Sequence, residues 1–152
     1  NPLPNVWLGV SIEDQKTADE RIPFLLQTPA AIRWISAEPL LSGIDFAPED
    51  ELGLKYNFLT GSFDGNDAKG EKIDWVVVGG ESGDKARVCN VDWIRSIVQQ
   101  CQSENVAVFV KQLGANSYGL DYCLSNRKGG DSFEFPVDLQ VREYPGGVIS
   151  NG

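Results

Sequence analysis

Histidine is missing from this chain altogether. That absence removes a Ser-His-Asp triad, a Cys-His nucleophile pair and every zinc site that needs an imidazole. Ser82 sits in G-E-S-G, yet it is no nucleophile elbow, because Asp84 stands where that motif needs its second glycine. Cysteine is scarce, and the spacing of Cys89, Cys101 and Cys123 matches neither a C-x-x-C metal knuckle nor a short disulfide framework. The expectation is three reduced, mostly buried thiols in a cytoplasmic protein, with no metal site. Basic charge is short as well: 13 Lys and Arg face 22 Asp and Glu, for a net charge of -9. A general binder of phosphate backbones would show a basic face, so nucleic acid is not an expected partner of this segment. No apolar run reaches the ~18 residues of a membrane span, and no signal-peptide pattern opens the chain.

Two motif-like stretches fail on their spacing. The glycines at 79, 80 and 83 read G-G-x-x-G, which is not the dinucleotide fingerprint. The run D-G-N-D-A-K at 64–69 puts Lys69 where a calcium loop needs its glycine, so it is no EF-hand.

What is present is organised around Ile73–Arg87, I-D-W-V-V-V-G-G-E-S-G-D-K-A-R. Trp75–Val78 is a continuous apolar, β-branched run, as suits a strand buried on both faces. Gly79 and Gly80 let the backbone turn there, and Glu81, Ser82 and Arg87 follow. A buried strand that stops on glycines and then presents polar groups is how α/β folds build sites at strand carboxyl ends.

The same layout recurs along the chain. Asn5–Ile12 reads as a strand with Ser11, Glu13 and Asp14 at its end, and Asp14 as the cap of a helix over Gln15–Gln27. Pro23 predicts a kink or restart inside that helix. Ile32–Ala37 is a second strand, closed by Glu38-Pro39. Residues 40–72 read as an irregular insertion holding a short hairpin. Asn90 caps a helix over Val91–Ser103 whose buried stripe is Val91, Ile94, Val98 and Cys101. Val106–Val110 is the fourth strand, with Lys111 and Gln112 at its end. The tail from Gly114 is loop-rich until Val137–Glu143, which alternates like an exposed edge strand. The 152 residues suit a single α/β domain over 1–145, with 146–152 as a flexible tail. The opening N-P-L-P-N-V-W reads as a linker feeding a strand, with an upstream part expected.

Strand–helix–strand twice over predicts right-handed βαβ units and a parallel sheet. Four such strands make a partial, half TIM-like barrel, with one exposed seam through which the chain would form a homodimer or take a partner chain. Parallel strands put their carboxyl ends at one rim, so Glu13, Glu38, Glu81 and Lys111 are expected to converge, together with Ser11, Ser82 and Gln112. Such a rim would hold a polar, partly cationic ligand. The plainer reading is an ion-pair network in which Lys111 neutralises Glu38 or Glu81, with Lys85 and Arg87 as solvated loop charges. Trp7, Trp34, Trp75 and Trp93 are expected in the core rather than as base-stacking platforms.

Long motifs carry a resemblance. N-V-W-L-G-V-S-I-E-D-Q, A-D-E-R-I-P-F-L-L-Q-T-P-A-A-I-R, S-A-E-P-L-L, I-D-W-V-V-V-G-G-E-S-G, F-V-K-Q-L-G, K-G-G-D and D-L-Q-V-R-E-Y-P together resemble the carboxyl-terminal half of a bacteriophage- and prophage-associated family of unknown function related to radical SAM enzymes. The resemblance implies a partial TIM-like barrel in a bacterial cytoplasm, with S-adenosylmethionine lying across the strand ends. It implies that Ser11 and Glu13 meet the ribose or amino group of that molecule and that Gly79 to Glu81 meet its adenine. It also implies a [4Fe–4S] cluster held by three cysteines of a preceding half absent here, with none of Cys89, Cys101 or Cys123 as a ligand.

Three readings follow. The first is the carboxyl-terminal half of a radical-SAM-like enzyme, its catalytic residues unknown. The second is a non-catalytic module that pairs with a partner chain through its open seam. The third is a hydrolase whose three glutamates hold Mg²⁺ or Mn²⁺.

Overall fold

The computed structural model of the chain describes residues 2–64, 66 and 70–147. In order, the elements are β1 (Trp7–Ser11), α1 (Gln15–Gln27), β2 (Ile32–Ala37), a hairpin of β3 (Tyr56–Asn57) and β4 (Ser62–Phe63), β5 (Trp75–Gly79), β6 (Cys89–Asn90), α2 (Val91–Ser103), β7 (Ala107–Gln112) and β8 (Ser117–Tyr118). Single turns of 3₁₀ helix follow at Ser132–Glu134, Val137–Leu139 and Pro145–Gly147. The strands β1, β2, β5 and β7 form one sheet in that order, every neighbour parallel. The domain is therefore mixed α/β, a four-stranded parallel sheet with two α-helices among the described residues.

Alternation along the strands sorts their side chains onto two faces. Ile35, Ala37, Val76, Val78, Val108 and Val110 are buried in one cluster with the stripes of α1 (Ala18, Ile22, Leu25) and α2 (Val91, Ile94, Ile97, Val98, Cys101). The other face carries Trp7, Trp34, Trp75 and Phe109, none of them fully buried. Register aligns Gly9 with Trp34, Trp75 and Ala107, and the next row of that face as Ser11, Ser36, Val77 and Phe109. The Trp7 and Trp34 rings stand 5.8 and 5.6 Å from that of Trp75, and Tyr144 stands 5.4 Å from it. The three tryptophans of the sheet thus pack with one another on the uncovered face, while Trp93 is half-buried on α2.

Local chemistry sets the helix starts. The Asp14 carboxylate accepts from the Thr17 N–H at 2.8 Å, and Thr17 Oγ1 accepts from the Asp14 N–H at 3.1 Å. This reciprocal pair satisfies two donors that the first turn leaves open, worth about 1 kcal/mol. Asn90 caps α2 with a single bond, accepting from Asp92 N–H at 2.9 Å. The expected restart at Pro23 does not occur: α1 runs through it unbroken. Proline removes one donor, and burial of Ile22, Leu25 and Leu26 around it holds the helix together.

The tail also departs from expectation. Val137–Glu143 is not an alternating edge strand. Its first residues form a 3₁₀ turn that buries Leu139. Its end lies antiparallel along β7, with Val110 N–H donating to Val141 O and Glu143 N–H to Val108 O, both at 2.9 Å. Leu139 is fully buried there, in the cluster with α2 and β7. One sheet edge is thereby covered, and β1 has no strand on its outer side among the described residues. The insertion does hold its hairpin, and the Gly-rich tail adds a pairing of β8 with β6. Most of the 64–69 run, and residues 148–152 of the expected flexible tail, lie outside the described residues.

Gly9 shows how close the uncovered face is packed. A Cβ there would stand 2.4 Å from the Trp34 indole, so only glycine lets that ring lie across β1. Gly9→Ala is expected to lower stability by about 1–3 kcal/mol in urea denaturation. In a Trp34→Leu background the same change should cost much less, and an equal cost in both backgrounds would contradict this packing.

Candidate ligand-binding rim

The carboxyl ends of the four strands are laced together by backbone bonds. Leu40 N–H donates to Gly79 O at 3.0 Å and Leu41 N–H to Glu13 O at 2.8 Å, so the segment after β2 threads between the ends of β1 and β5. Gly80 N–H donates to Gln112 O at 3.1 Å, and Ala115 N–H to Glu81 O at 2.8 Å. The rim is a built edge rather than four loose tips.

Its centre is Glu38. Lys111 Nζ stands 3.1 and 2.9 Å from the two carboxylate oxygens, and Gln112 Nε2 donates to one of them at 3.3 Å. Consecutive strand residues ordinarily point to opposite faces. Here the register shifts: Val78 pairs with Val110, but Gly79 pairs with Gln112, leaving Lys111 as the extra residue. That bulge turns both side chains toward one carboxylate. Gln112 is buried and also donates to Gly80 O at 2.7 Å, which fixes the amide. The Glu38 side chain is 19% exposed and the Lys111 side chain 53%, so the pair is solvated on the lysine side. Ser11 and Ser36 lie on the same uncovered face, one register row below.

The other carboxylates have local partners. Glu13 is held by Arg21 Nη1 at 3.2 Å, and the same nitrogen donates to Ser11 O at 2.6 Å. Thr17 accepts from Glu13 N–H at 2.9 Å. Thr17 and Arg21 stand one helical turn apart and reach back over the start of α1, a spacing readable in the sequence although it did not single them out. Glu81 accepts from Arg87 three times: its Oε2 from the backbone N–H at 2.9 Å and Nε at 2.8 Å, its Oε1 from Nη2 at 2.9 Å. This fork closes the 81–87 loop, in which Ser82 and Lys85 are exposed. The Arg87 hydrogen bonds hold the Glu81 carboxyl down, from its ordinary 4.5 to about 2. Arg87 also feels the charge of Glu13. Asp84 pairs with Arg127 and ties the loop to the tail.

The expected convergence thus resolves into one shared cluster and two separate pairs. Glu38, Lys111 and Gln112 touch, whereas Glu13 and Glu81 each face their own arginine. Ser36 was missed by sequence reasoning, although it stands two residues before Glu38 and therefore on the same face. Gly79 and Gly80 are buried in contact with the chain itself: a Cβ on Gly80 would meet Leu113 O at 2.4 Å, and one on Gly79 would meet Gln112 at 3.1 Å. Their glycine identity serves close packing of β5 on the end of β7. The Gly79 carbonyl and both polar backbone groups of Gly80 are bonded within the chain.

Cys89 and Cys101 are buried and Cys123 is exposed. Burial pushes the Cys89 and Cys101 thiols up to about 12, so both stay protonated. Among the described residues no three His, Cys, Asp or Glu side chains gather as metal ligands would. This chain's residues do not fit an iron–sulfur cluster. A cleft of about 540 Å³ lies away from Glu38 between α1, α2 and the insertion. Its Gln100 is spent on the chain's own backbone, bonding Ile44 O and Phe46 N–H.

The fold and rim define a parallel α/β domain with a polar, charge-paired edge at its strand carboxyl ends. The chain belongs to the family described as Protein of unknown function (DUF5131), whose model matches residues 1–134 and so spans every rim residue described above. No curated protein and no solved structure matches the chain. No helix among the described residues is long and apolar enough to cross a membrane.

The Glu81–Arg87 fork carries a pH signature. Because the folded carboxyl titrates below its ordinary value, its contribution to stability is present above about 4.5 and is lost as pH falls toward 2. Carboxyl NMR should show Arg87→Ala returning Glu81 toward 4.5, with a flatter stability profile across that window. A wild-type Glu81 already titrating near 4.5 would show that the fork does not persist in solution.

Proposed function

We propose that this domain binds a small, polar, partly cationic molecule at its strand carboxyl rim, with S-adenosylmethionine as the specific candidate. On this reading the four-stranded sheet is part of a larger TIM-like barrel of the radical SAM type, in a phage- or prophage-derived protein acting in the bacterial cytoplasm. The observation that carries it is the Glu38 carboxylate, presented at the rim and held by two consecutive residues of a bulged strand. Bulges recur beside functional sites because they re-aim side chains that a regular strand would send elsewhere. A carboxylate fixed in advance attracts a sulfonium or ammonium group and accepts from ribose hydroxyls, without the ordering cost a mobile side chain would add.

An iron–sulfur cluster would supply the reductive chemistry of a radical SAM enzyme. The cysteines here do not suit its ligation, so this chain's part is to bind and orient. Glu38 meets the cationic group, Gln112 holds Glu38, and Ser11 and Ser36 offer hydroxyls below them on the same face.

Titration calorimetry with S-adenosylmethionine tests the reading. Wild type should bind, and Glu38→Gln should weaken binding about tenfold or more, as expected for a hydrogen bond to a charged group. No binding, or equal binding by Glu38→Gln, would count against it.

A second reading rests on a different observation. β1 has no strand on its outer edge among the described residues, and Trp7 beside it is 43% exposed. Unprotected edges recruit strands, so the domain pairs with another chain there. For two copies of this acidic chain, screening by salt should strengthen the association. Sedimentation that finds a monomer at all concentrations and salts would oppose it.

A further inference from the structure

We infer that the Glu38–Lys111 pair is a receptor for a zwitterion, the ammonium-and-carboxylate head of an amino-acid-like ligand. This rests on the rim reading above and names the part of the ligand held there. The pair offers opposite charges 2.9 Å apart at the solvated edge of the sheet. A simple cation arriving at Glu38 would leave Lys111 without its partner, and a simple anion at Lys111 would strand Glu38. A ligand that carries both charges on neighbouring atoms lets each ion exchange one partner for another. No charge is left uncompensated, and Glu38, the less exposed member, is never left without a cation.

The two members are not held alike, and the difference suits that exchange. Glu38 is the less exposed and keeps a second donor in Gln112, whose amide is fixed by Gly80 O at 2.7 Å. Lys111 is more than half exposed and carries its charge on a flexible four-carbon stem. Glu38 therefore stays in place while Lys111 swings from it to the incoming carboxylate. An ordinary surface ion pair would need neither the bulge nor the buried amide behind it. The strand irregularity at Lys111 is what places a stationary carboxylate and a movable ammonium at one point.

Three probes separate the possibilities: S-adenosylmethionine, its decarboxylated analogue and adenosine. Wild type should bind S-adenosylmethionine about tenfold more tightly than the decarboxylated compound. Lys111→Met should abolish that ratio, by weakening the zwitterion and by freeing Glu38 for the decarboxylated compound. Gln112→Ala should weaken both cationic ligands alike and leave adenosine unchanged. If the decarboxylated compound binds wild type as tightly as S-adenosylmethionine, and Glu38→Gln weakens both, the rim reading stands and this inference falls. If no adenosyl compound binds, the rim reading fails and L-methionine decides this inference by NMR. Movement of the Lys111 ammonium and Glu38 carboxyl signals with L-methionine, but not with methylamine or acetate, would support it. No movement at saturating millimolar L-methionine would overturn it.

Discussion

The arrangement at the rim depends on one irregularity of hydrogen bonding, the shift of register between the last residues of β5 and β7. Up to Val78 the two strands pair residue for residue, and beyond it Gly79 meets Gln112. Without that extra residue Lys111 and Gln112 would face opposite sides of the sheet, and only one could reach Glu38. The shift also explains the glycines. A side chain on Gly80 would collide with the Leu113 and Gly114 backbone, and one on Gly79 would crowd Gln112 at 3.1 Å. The conformational freedom of glycine matters less here than its small volume.

The two faces of the sheet follow different physics. One is a conventional core in which both helices bury aliphatic stripes. The other packs tryptophans against each other and against Tyr144 from the tail, with Arg142 5.2 Å above the Phe109 ring. Parallel sheets are ordinarily covered on both sides. Here the uncovered side shields itself in part through aromatic contacts that span strands, and the tail closes the β7 edge. Along that face the chemistry grades from indoles near the strand starts, through Ser11 and Ser36, to the charged pair at the rim.

Much of this was legible in the sequence, because local rules set it. The apolar run at Trp75–Val78, the strand at Ile32–Ala37, the caps at Asp14 and Asn90 and the stripe of α2 each follow from short-range periodicity and hydrogen-bonding chemistry. The pairing of Lys111 with Glu38 was one of two alternatives that parallel strands allowed. The rest is set by contacts between distant residues. No pattern within β7 announces that it bulges, and no spacing shows that Trp34 lies over Gly9. The tail misled because Val137–Glu143 alternates like a strand, while burial of Leu139 and the free edge of β7 decide its shape. At Pro23 the local rule allowed a kink or a restart; the restart does not occur, because packing around it outweighs one lost bond.

The proposed site depends on Glu38 being gripped at once by two consecutive residues of β7. NMR of the free protein measures this directly, through contacts from the Glu38 γ-protons to the Lys111 ε-protons and to the Gln112 side-chain amide. Both sets of contacts are expected, with the Gln112 amide slow to exchange. A Glu38 side chain that averages freely, or a Gln112 amide turned away from it, would remove the shared cluster on which the proposed site rests.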